Sequence, residues 1–502
     1  MSKLRTAAQI TKTGKTAFDY HAIVGSTSRR SVSKRTTSES FILPPGKREK
    51  ASATARDDRR NMTILAWMVR RHLDNVSRFT PQFRIQGDTD AVKNLNDVVA
   101  KLLAWHARRR QFDALGRHGR DEWLRMFEAC KVLSGDAGGL KCAGGRLQGI
   151  EGDRICKASN CVDKNAKPPK GVTDDGLILN KDGTVKEYSV CKRDGKSMLF
   201  ESLVKTEDMI FDAYWPERFD AVRGVSPLLT ALSEGADILE TREWLVLKSK
   251  ASAFFGLAFT RTASDEMFPS QGDPATSGPA TEAAAYSAQA AAAIKSRGMI
   301  NLDLDPGDSV MEIESKSPNP TVVEFTRELI RSVLLALDIP FTFYDSLTAS
   351  FSARIADRNE YAESCEWKQA KNIDVLYETY HWLFPTWQTA DLFGFGKALS
   401  AAGLTVEDII EGVKWVPAGK PWLDRSKEMS GHILSLAAGV TSVPRICASY
   451  GEDAYKIAAE QKEYLENAGI PLLYAQGGQV AVQSLFDSIV RKEGQDGGTE
   501  TD

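Results

Sequence analysis

Apolar residues over 321–339 recur at three- and four-residue intervals. Val322, Phe325, Leu329, Val333 and Leu337 fall on one side, and Glu324, Arg327, Glu328 and Arg331 fall on the other. This spacing predicts an amphipathic helix with one packing face. Asp338-Ile339-Pro340 ends it, because proline lacks an N–H and pushes its predecessor out of the helical region. A polar loop over 340–351 follows, carrying Tyr344, Asp345, Ser346, Thr348, Ser350 and Phe351 and no Lys or Arg. From Ser352 the helical pattern resumes without Gly or Pro until Pro385, a run of roughly 50 Å at ~1.5 Å per residue. Ser352, Arg354 and Arg358 stand at its head.

The same spacing predicts a packed surface helix over 56–79, with Met62, Leu65, Ala66, Val69 and Leu73 on one face, and further helices over 95–108 and 122–133. Over 139–221 the period shortens. Runs at 145–150, 177–179 and 185–191 read as strands, the last two joined by a turn at Asn180-Lys181-Asp182-Gly183, giving a small mixed β subdomain. Ser226-Pro227 is a helix start, and that helix extends to about Phe255 with its acidic residues early and its basic residues late. Residues 256–320 are irregular: a Pro-, Gly-, Ser- and Asp-rich loop over 265–278, an Ala-rich tract over 283–293, and β texture over 298–313 around a turn at 305–308. Beyond 387 short helices and turns alternate. The class expected is α+β.

Composition adds bounds. With 502 residues, 42% hydrophobic and 26% charged, the chain has room for two to four domains. The formal net charge of −2 hides an asymmetry, because residues 1–60 hold 14 Lys or Arg against 5 Asp or Glu. Residues 1–58 read as a disordered basic arm, either a solvated tail or a contact for nucleic acid or an acidic partner. No apolar run reaches the ~18 residues of a membrane span, and no apolar h-region opens the chain, so it is expected to stay in the cytoplasm where it is made. Seven cysteines, an odd number, fit reduced thiols.

No catalytic constellation emerges. Thr13-Gly14-Lys15-Thr16 matches the tail of a phosphate loop, but Gln9 stands where that loop needs glycine. Cys156 and Cys161 are spaced as zinc ligands, while Cys142 and Cys191 stand far off, so buried free thiols are the simpler reading. The six histidines are scattered, with no HExxH or GxSxG, and no zinc-finger or RNA-recognition pattern occurs. No enzyme, cofactor or metal is expected.

The segment FYDSLTASFSARIADRNEYAE over 343–363, preceded by an amphipathic helix ending in proline, resembles the portal proteins of tailed bacteriophages, in the family typified by the phage lambda portal. There a tunnel loop ending in Ser-Ala-Arg opens a tunnel helix. Phe351 stands where many relatives have tyrosine. Similar segments follow one another in the family's order: GGRLQGIEGDRI (144–155, with Gly152 in place of a proline), DGTVKEYSV (182–190), FDAYWPERFDAVRGVSPL (211–228), LDPGDSVMEIESKSPNP (304–320), and a C-terminal run over 415–470 in which Arg425 replaces a proline.

The resemblance implies a portal fold. A wing over 59–225 includes the β subdomain and leads into a first stem helix (226–255), a clip (256–320) and a second stem helix (321–339). A tunnel loop (340–351) follows, then a tunnel helix returning to the wing (352–412), a helical crown (413–492) and a disordered acidic tail (493–502). It further implies a ring, a dodecamer, at one capsid vertex of the virion, assembled in the host cytoplasm. DNA would be packaged and ejected through it. Its implied partners are double-stranded DNA, the terminase large subunit, head-completion or adaptor proteins, and major capsid or scaffolding protein, with no membrane. On this reading Val322, Phe325, Leu329, Val333 and Leu337 pack between subunits. Arg354 and Arg358 either brush phosphates or pair with Asp357 or Glu360 of a neighbour. The alternative is a helical scaffold or adaptor that forms no ring and binds nucleic acid through its basic arm.

Overall fold

A computed structural model describes residues 43–254, 257–261, 308–312 and 320–468, apart from 88, 164–166, 196, 215–217, 220, 348 and 420–424. In chain order its elements are α1 (Pro45–Asn61), α2 (Thr63–Val76), β1 (Phe79–Phe83), α3 (Asp90–His106), α4 (Arg109–Phe112), α5 (Arg120–Ser134), β2 (Asp136–Cys142), β3 (Arg146–Glu151), β4 (Asn160–Cys161), β5 (Leu177–Leu179), β6 (Val185–Asp194), β7 (Ser197–Lys205) and β8 (Met209–Ala213). Then come α6 (Leu229–Phe254), β9 (Leu257–Arg261), β10 (Asp308–Glu312), α7 (Pro320–Leu335), α8 (Phe351–Thr389), α9 (Phe395–Ala402), α10 (Val406–Gly412), β11 (Val413–Pro417), α11 (Arg425–Ala437), α12 (Val443–Ser449) and α13 (Ala454–Ala468). The chain is helix-rich α+β. Of the described residues, 43–67, 130–138 and 150–345 form one compact unit, and 68–129, 139–149 and 346–468 form a second.

In the first unit a four-stranded sheet has the order β4-β7-β6-β5. β6 runs antiparallel to β7 from Glu187 opposite Lys205 to Asp194 opposite Ser197. The turn read at 180–183 joins β5 to β6. The Asn180 N–H donates to the Thr184 carbonyl at 2.8 Å, and Gly183 takes φ +88°, where a Cβ would be strained. β9 and β10 pair antiparallel, Leu257 opposite Glu312. The loop expected at 265–278, the Ala-rich tract, residues 1–42 with their Thr13–Thr16 motif, and the acidic tail lie outside the described residues.

α1 begins at Pro45, inside the stretch read as a disordered arm. One side of it is engaged, while Lys47, Glu49, Lys50, Asp57 and Arg60 stay exposed. Ser52 and Ser134 hydroxyls lie 2.9 Å apart, Arg48 donates to the Gly224 carbonyl, and Arg56 donates to Ser134 Oγ at 3.0 Å, while Ala55 is buried. α1 packs on α6. The single helix expected over 56–79 is two, because Met62 takes an extended conformation (φ −105°, ψ 112°) between α1 and α2. Met62 and Leu65 are nonetheless buried, as their spacing predicted.

The second unit is built around α8. Val375, Leu376, Tyr380, Leu383, Phe384 and Trp387 are buried along it. Tyr380 meets Trp415 at 5.0 Å between ring centroids, and Phe384 meets Phe395 at 5.9 Å. His106 enters this aromatic core, with Nε2 2.9 Å from the Gly145 carbonyl and Nδ1 3.3 Å from the Tyr380 hydroxyl. Burial lowers its pKa to about 4, so the ring is neutral, one nitrogen donating to the carbonyl and the other accepting from the phenol. Side-chain amides of Gln369 and Asn372 donate to the Asn75 and Val76 carbonyls at 2.8 and 3.2 Å, capping the end of α2. β1 and β11 close the unit as an antiparallel pair, Phe79 opposite Pro417.

α8 runs through Pro385 to Thr389, whereas the sequence places its end at the proline. Pro385 faces solvent, where water can satisfy the carbonyl that its missing N–H leaves free. Buried Leu383, Phe384 and Trp387 hold the chain on both sides of it. Among the described residues, no helix is long and apolar enough to cross a membrane.

Candidate functional site

The helix pair α6 and α7 packs together within the first unit. The burial of α7 is graded along its length. Val333 and Leu337, the latter just beyond the helix end, are 0% exposed, and Ile330, Leu334 and Ile339 are also buried. Val322 and Leu329 are half-buried, and Phe325 is exposed. The predicted face therefore divides in two: its C-terminal part is consumed by the chain's own core, and its N-terminal part is open. α6 shows the converse order. Leu228, Ala231 and Ile238 are buried near its start, and Gly235 faces Met62 and Leu65. Further along, Leu239, Trp244, Val246 and Leu247 are exposed, Trp244 at 65%. These four were not singled out from sequence, although their clustering in the distal half of one helix was visible there.

At its end α7 is closed by a left-handed residue, Asp338 at φ +60°, and by the Ile339 N–H donating to the Leu334 carbonyl at 3.1 Å. Pro340 then leads into a short 3₁₀ turn, Phe341–Phe343. The first half of the loop is held against the unit that precedes it. The Tyr344 ring meets Trp67 edge-on at 6.1 Å and Phe341 at 5.7 Å. Arg331 lies over the Phe341 ring at 4.6 Å, and Arg327 reaches the Asp345 carboxylate at 3.4 Å. The acidic charge of a loop that has no Lys or Arg of its own is therefore matched by an arginine of the helix before it. Arg327 was visible in the charged stripe of α7, but its partner, 18 residues on, was not.

The second half belongs to the second unit. Ser350 Oγ accepts from the Ala353 N–H at 3.2 Å, so α8 starts at Phe351 with a serine cap, one residue earlier than predicted. Leu347 is 92% exposed. Phe351, Ser352 and Arg354 are exposed, and Ser346 is exposed with them, while Arg358 is half-buried. Neither arginine has an ion-pair partner among the described residues. Thr348 lies outside those residues.

The Arg-Gly-Val-Ser run before α6 is a structural lock in the first unit. Buried Arg223 uses all five of its donors: Nε and Nη2 on Asp136 at 2.5 and 3.0 Å, Nη1 on the Ile155 and Asp175 carbonyls at 2.8 and 2.6 Å, and Nη2 also on the Gly152 carbonyl at 2.7 Å. Gly224 passes so close to Gly135 that a Cβ would lie 1.9 Å from its carbonyl oxygen. Ser226 Oγ donates to the Val132 carbonyl at 2.6 Å and accepts from the Leu228 N–H at 3.3 Å. Gly152, where the resemblance expects proline, leaves room for the Asp136 carboxylate, which a Cβ would meet at 2.1 Å. Among the described residues, no group of three His, Cys, Asp or Glu side chains is placed to hold a metal.

The family model described as "Phage portal protein, lambda family" matches residues 27–369, more than half of the chain. The chain belongs to the lambda family of phage portal proteins. That family is structural rather than catalytic. The match to this portal family ends within α8, so the likeness over 415–470 rests on the residues quoted for it alone. Solved structures similar to this portal chain include one titled "Virion of native gene transfer agent (GTA) particle", at 13% identity over 71% of this chain and 98% of that one, TM-score 0.37. Another is the neck of an empty GTA particle computed with C6 symmetry, at 13% identity over 78% and 90%, TM-score 0.39. A third is an HK97-family phage portal protein from Corynebacterium diphtheriae, at 12% identity over 58% and 80%, TM-score 0.28. No curated protein matches the sequence.

Proposed function

We propose that this portal chain assembles into a ring, a dodecamer as the family resemblance implies, set at one capsid vertex of a virion. Double-stranded DNA would pass through it during packaging and ejection. The observation that carries this reading is the family match over 27–369. A physical feature supports the ring. The distal part of α6 presents Leu239, Trp244, Val246 and Leu247 to water, and α7 adds Phe325 and Leu335 at its two ends. So much apolar area on one helix pair calls for cover, and identical neighbours around an axis supply it through a heterologous interface that closes at a fixed angle. Val322, Phe325 and Leu329 remain stem contacts between subunits in this proposal. Val333 and Leu337, consumed within the chain, serve the subunit's own fold instead.

The loop over 340–351 would face the bore. With Asp345 matched to Arg327 and no Lys or Arg in the loop, it offers Ser346, Leu347, Ser350 and Phe351 as a weakly charged surface. A duplex held by few phosphate contacts slides. Arg354 and Arg358 lie at the head of α8, where a passing phosphate or an acidic group of a neighbour would pair with them. The clip, 256–320, would dock the terminase large subunit, whose ATP hydrolysis drives the DNA, and later the head-completion or adaptor proteins. Capsid or scaffolding protein would hold the ring in the shell, after assembly in the host cytoplasm.

The test is an end-on view of the purified full-length protein by negative-stain microscopy. Rings with a central hole wide enough for a duplex, about 20 Å or more, are expected. Uniform small particles without a hole would overturn the proposal and return the chain to the scaffold or adaptor reading.

A further inference from the structure

Seven cysteines are free in this chain, and two of them are neighbours across strands. Ile155 and Val190 form an antiparallel bridge, the Cys156 N–H donates to the Ser189 carbonyl at 3.3 Å, and the Cys191 thiol donates to the Cys156 carbonyl at 3.2 Å. Side chains alternate along paired strands, so residues 156 and 191 project to the same side. Cys156 is half-buried, and Cys191 is fully buried. A cavity of ≈ 400 Å³ opens beside Cys156, lined also by Ser52, Asp153, Lys157, Asp174 and Met198.

We propose that Cys156 and Cys191 are a dithiol that closes to an intrachain disulfide when a low-molecular-weight disulfide enters this cavity. The Cys191 sulfur already lies 3.2 Å from the Cys156 carbonyl, so the two side chains share one side of the paired segments, and closure requires the sulfurs to reach bonding distance. The neighbouring Cys156 thiol lowers the Cys191 thiol to about 7, against the opposing effect of burial, and Cys191 in turn raises Cys156.

The exchange balances in two steps. The Cys191 thiolate takes the proton of Cys156, and the Cys156 sulfur attacks one sulfur of the small disulfide; its S–S bond breaks, one small thiolate leaves, and a mixed disulfide remains on Cys156. Cys191, as thiolate, attacks the Cys156 sulfur; the mixed bond breaks, and the second small thiolate leaves. The two protons lost by the cysteines pass to the two leaving thiolates. The cysteines give up two electrons, and the small disulfide gains them. The new bond ties residues 152–156, whose Gly152 and Ile155 carbonyls hold Arg223, to β6. A chain assembled under reducing conditions would thus be fastened at this point once its surroundings turn oxidising. The chemistry stands whether or not the chain forms rings.

The experiment uses full-length protein and oxidised glutathione as the probe, followed by denaturation, thiol counting and non-reducing peptide mapping by mass spectrometry. Expected are a fall from seven free thiols to five, a peptide pair joined through Cys156 and Cys191, and a rise in thermal midpoint of several degrees that a reductant reverses. Cys156→Ser should keep six thiols before and after treatment. The mapping of the unaltered chain needs no variant, so a folding defect in Cys156→Ser leaves the test intact. Seven thiols surviving treatment, or a bridge that joins other cysteines or separate chains, would overturn the proposal.

Discussion

Arg223 is fixed by chemistry that its neighbours in sequence do not contain. Its carboxylate partner stands 87 positions earlier, and three of its five hydrogen bonds go to backbone carbonyls of two separate segments. Only a planar five-donor group fits such a set, so Arg223→Lys leaves Asp136 buried and underpaired. Its expected cost is about 3–5 kcal/mol, read as a lower urea midpoint for unfolding; an unchanged midpoint would remove the lock. His106 gives a pH dependence of defined sign. The unfolded chain takes up its proton near 6.5, while the folded one does not until about 4. The unfolded state therefore binds more protons throughout that window, and stability falls as the pH drops from 6.5 towards 4, by about 1.4 kcal/mol per pH unit at most for this group. Above 6.5 the group contributes no slope. Urea midpoints measured at pH 7 and pH 5 should separate widely in the parent chain and less in His106→Gln, which keeps a donor and an acceptor without titrating. Both residues drew no role from sequence, because a buried arginine and a buried histidine look like surface ones until their partners are known.

At the scale of elements, α7 shows how far periodicity reaches. Its three- and four-residue spacing marked one face correctly as apolar, but the same spacing covers two fates: burial within the chain at Val333 and Leu337, and exposure at Phe325. The two ends should therefore respond differently to a buried-charge substitution. Val333→Asp is expected to unfold or aggregate the subunit, with a loss of cooperative melting. Trp244→Asp combined with Leu247→Asp, on the exposed part of α6, is expected to leave the melting profile close to the parent's while light scattering reports single subunits instead of rings. Intact rings in the double variant would remove this surface from the interface. α1 and α8 teach a related lesson. A Lys- and Arg-rich stretch reads as solvated until Ser134 and Gly224 appear as its partners, and a proline reads as a stop until buried residues on either side carry the helix through it.

For the whole molecule, the proposal makes the loop between α7 and α8 a surface over which DNA slides. Adding a cation there tests it: Ser346→Lys rings should assemble normally yet package DNA several-fold more slowly in a terminase-driven assay, and the deficit should shrink as salt rises, since phosphate contacts are weakened by counterions. An unchanged rate would show that this loop does not meet the duplex. The amino-acid order by itself determined the α+β class, the amphipathic helix, the polar loop after it, the long helix that follows, the Asn-Lys-Asp-Gly turn and the family. Each of these is written in spacing or in the backbone demands of residues a few positions apart, which a linear chain records directly. The tertiary structure alone decided that Asp345 is matched by Arg327, that Arg223 is held by Asp136 and three carbonyls, that α1 packs instead of trailing, which half of the stem face remains open, and that Cys156 meets Cys191. These depend on pairings between distant segments, and no local pattern encodes which of many compatible partners a buried charge, a thiol or an apolar face will find.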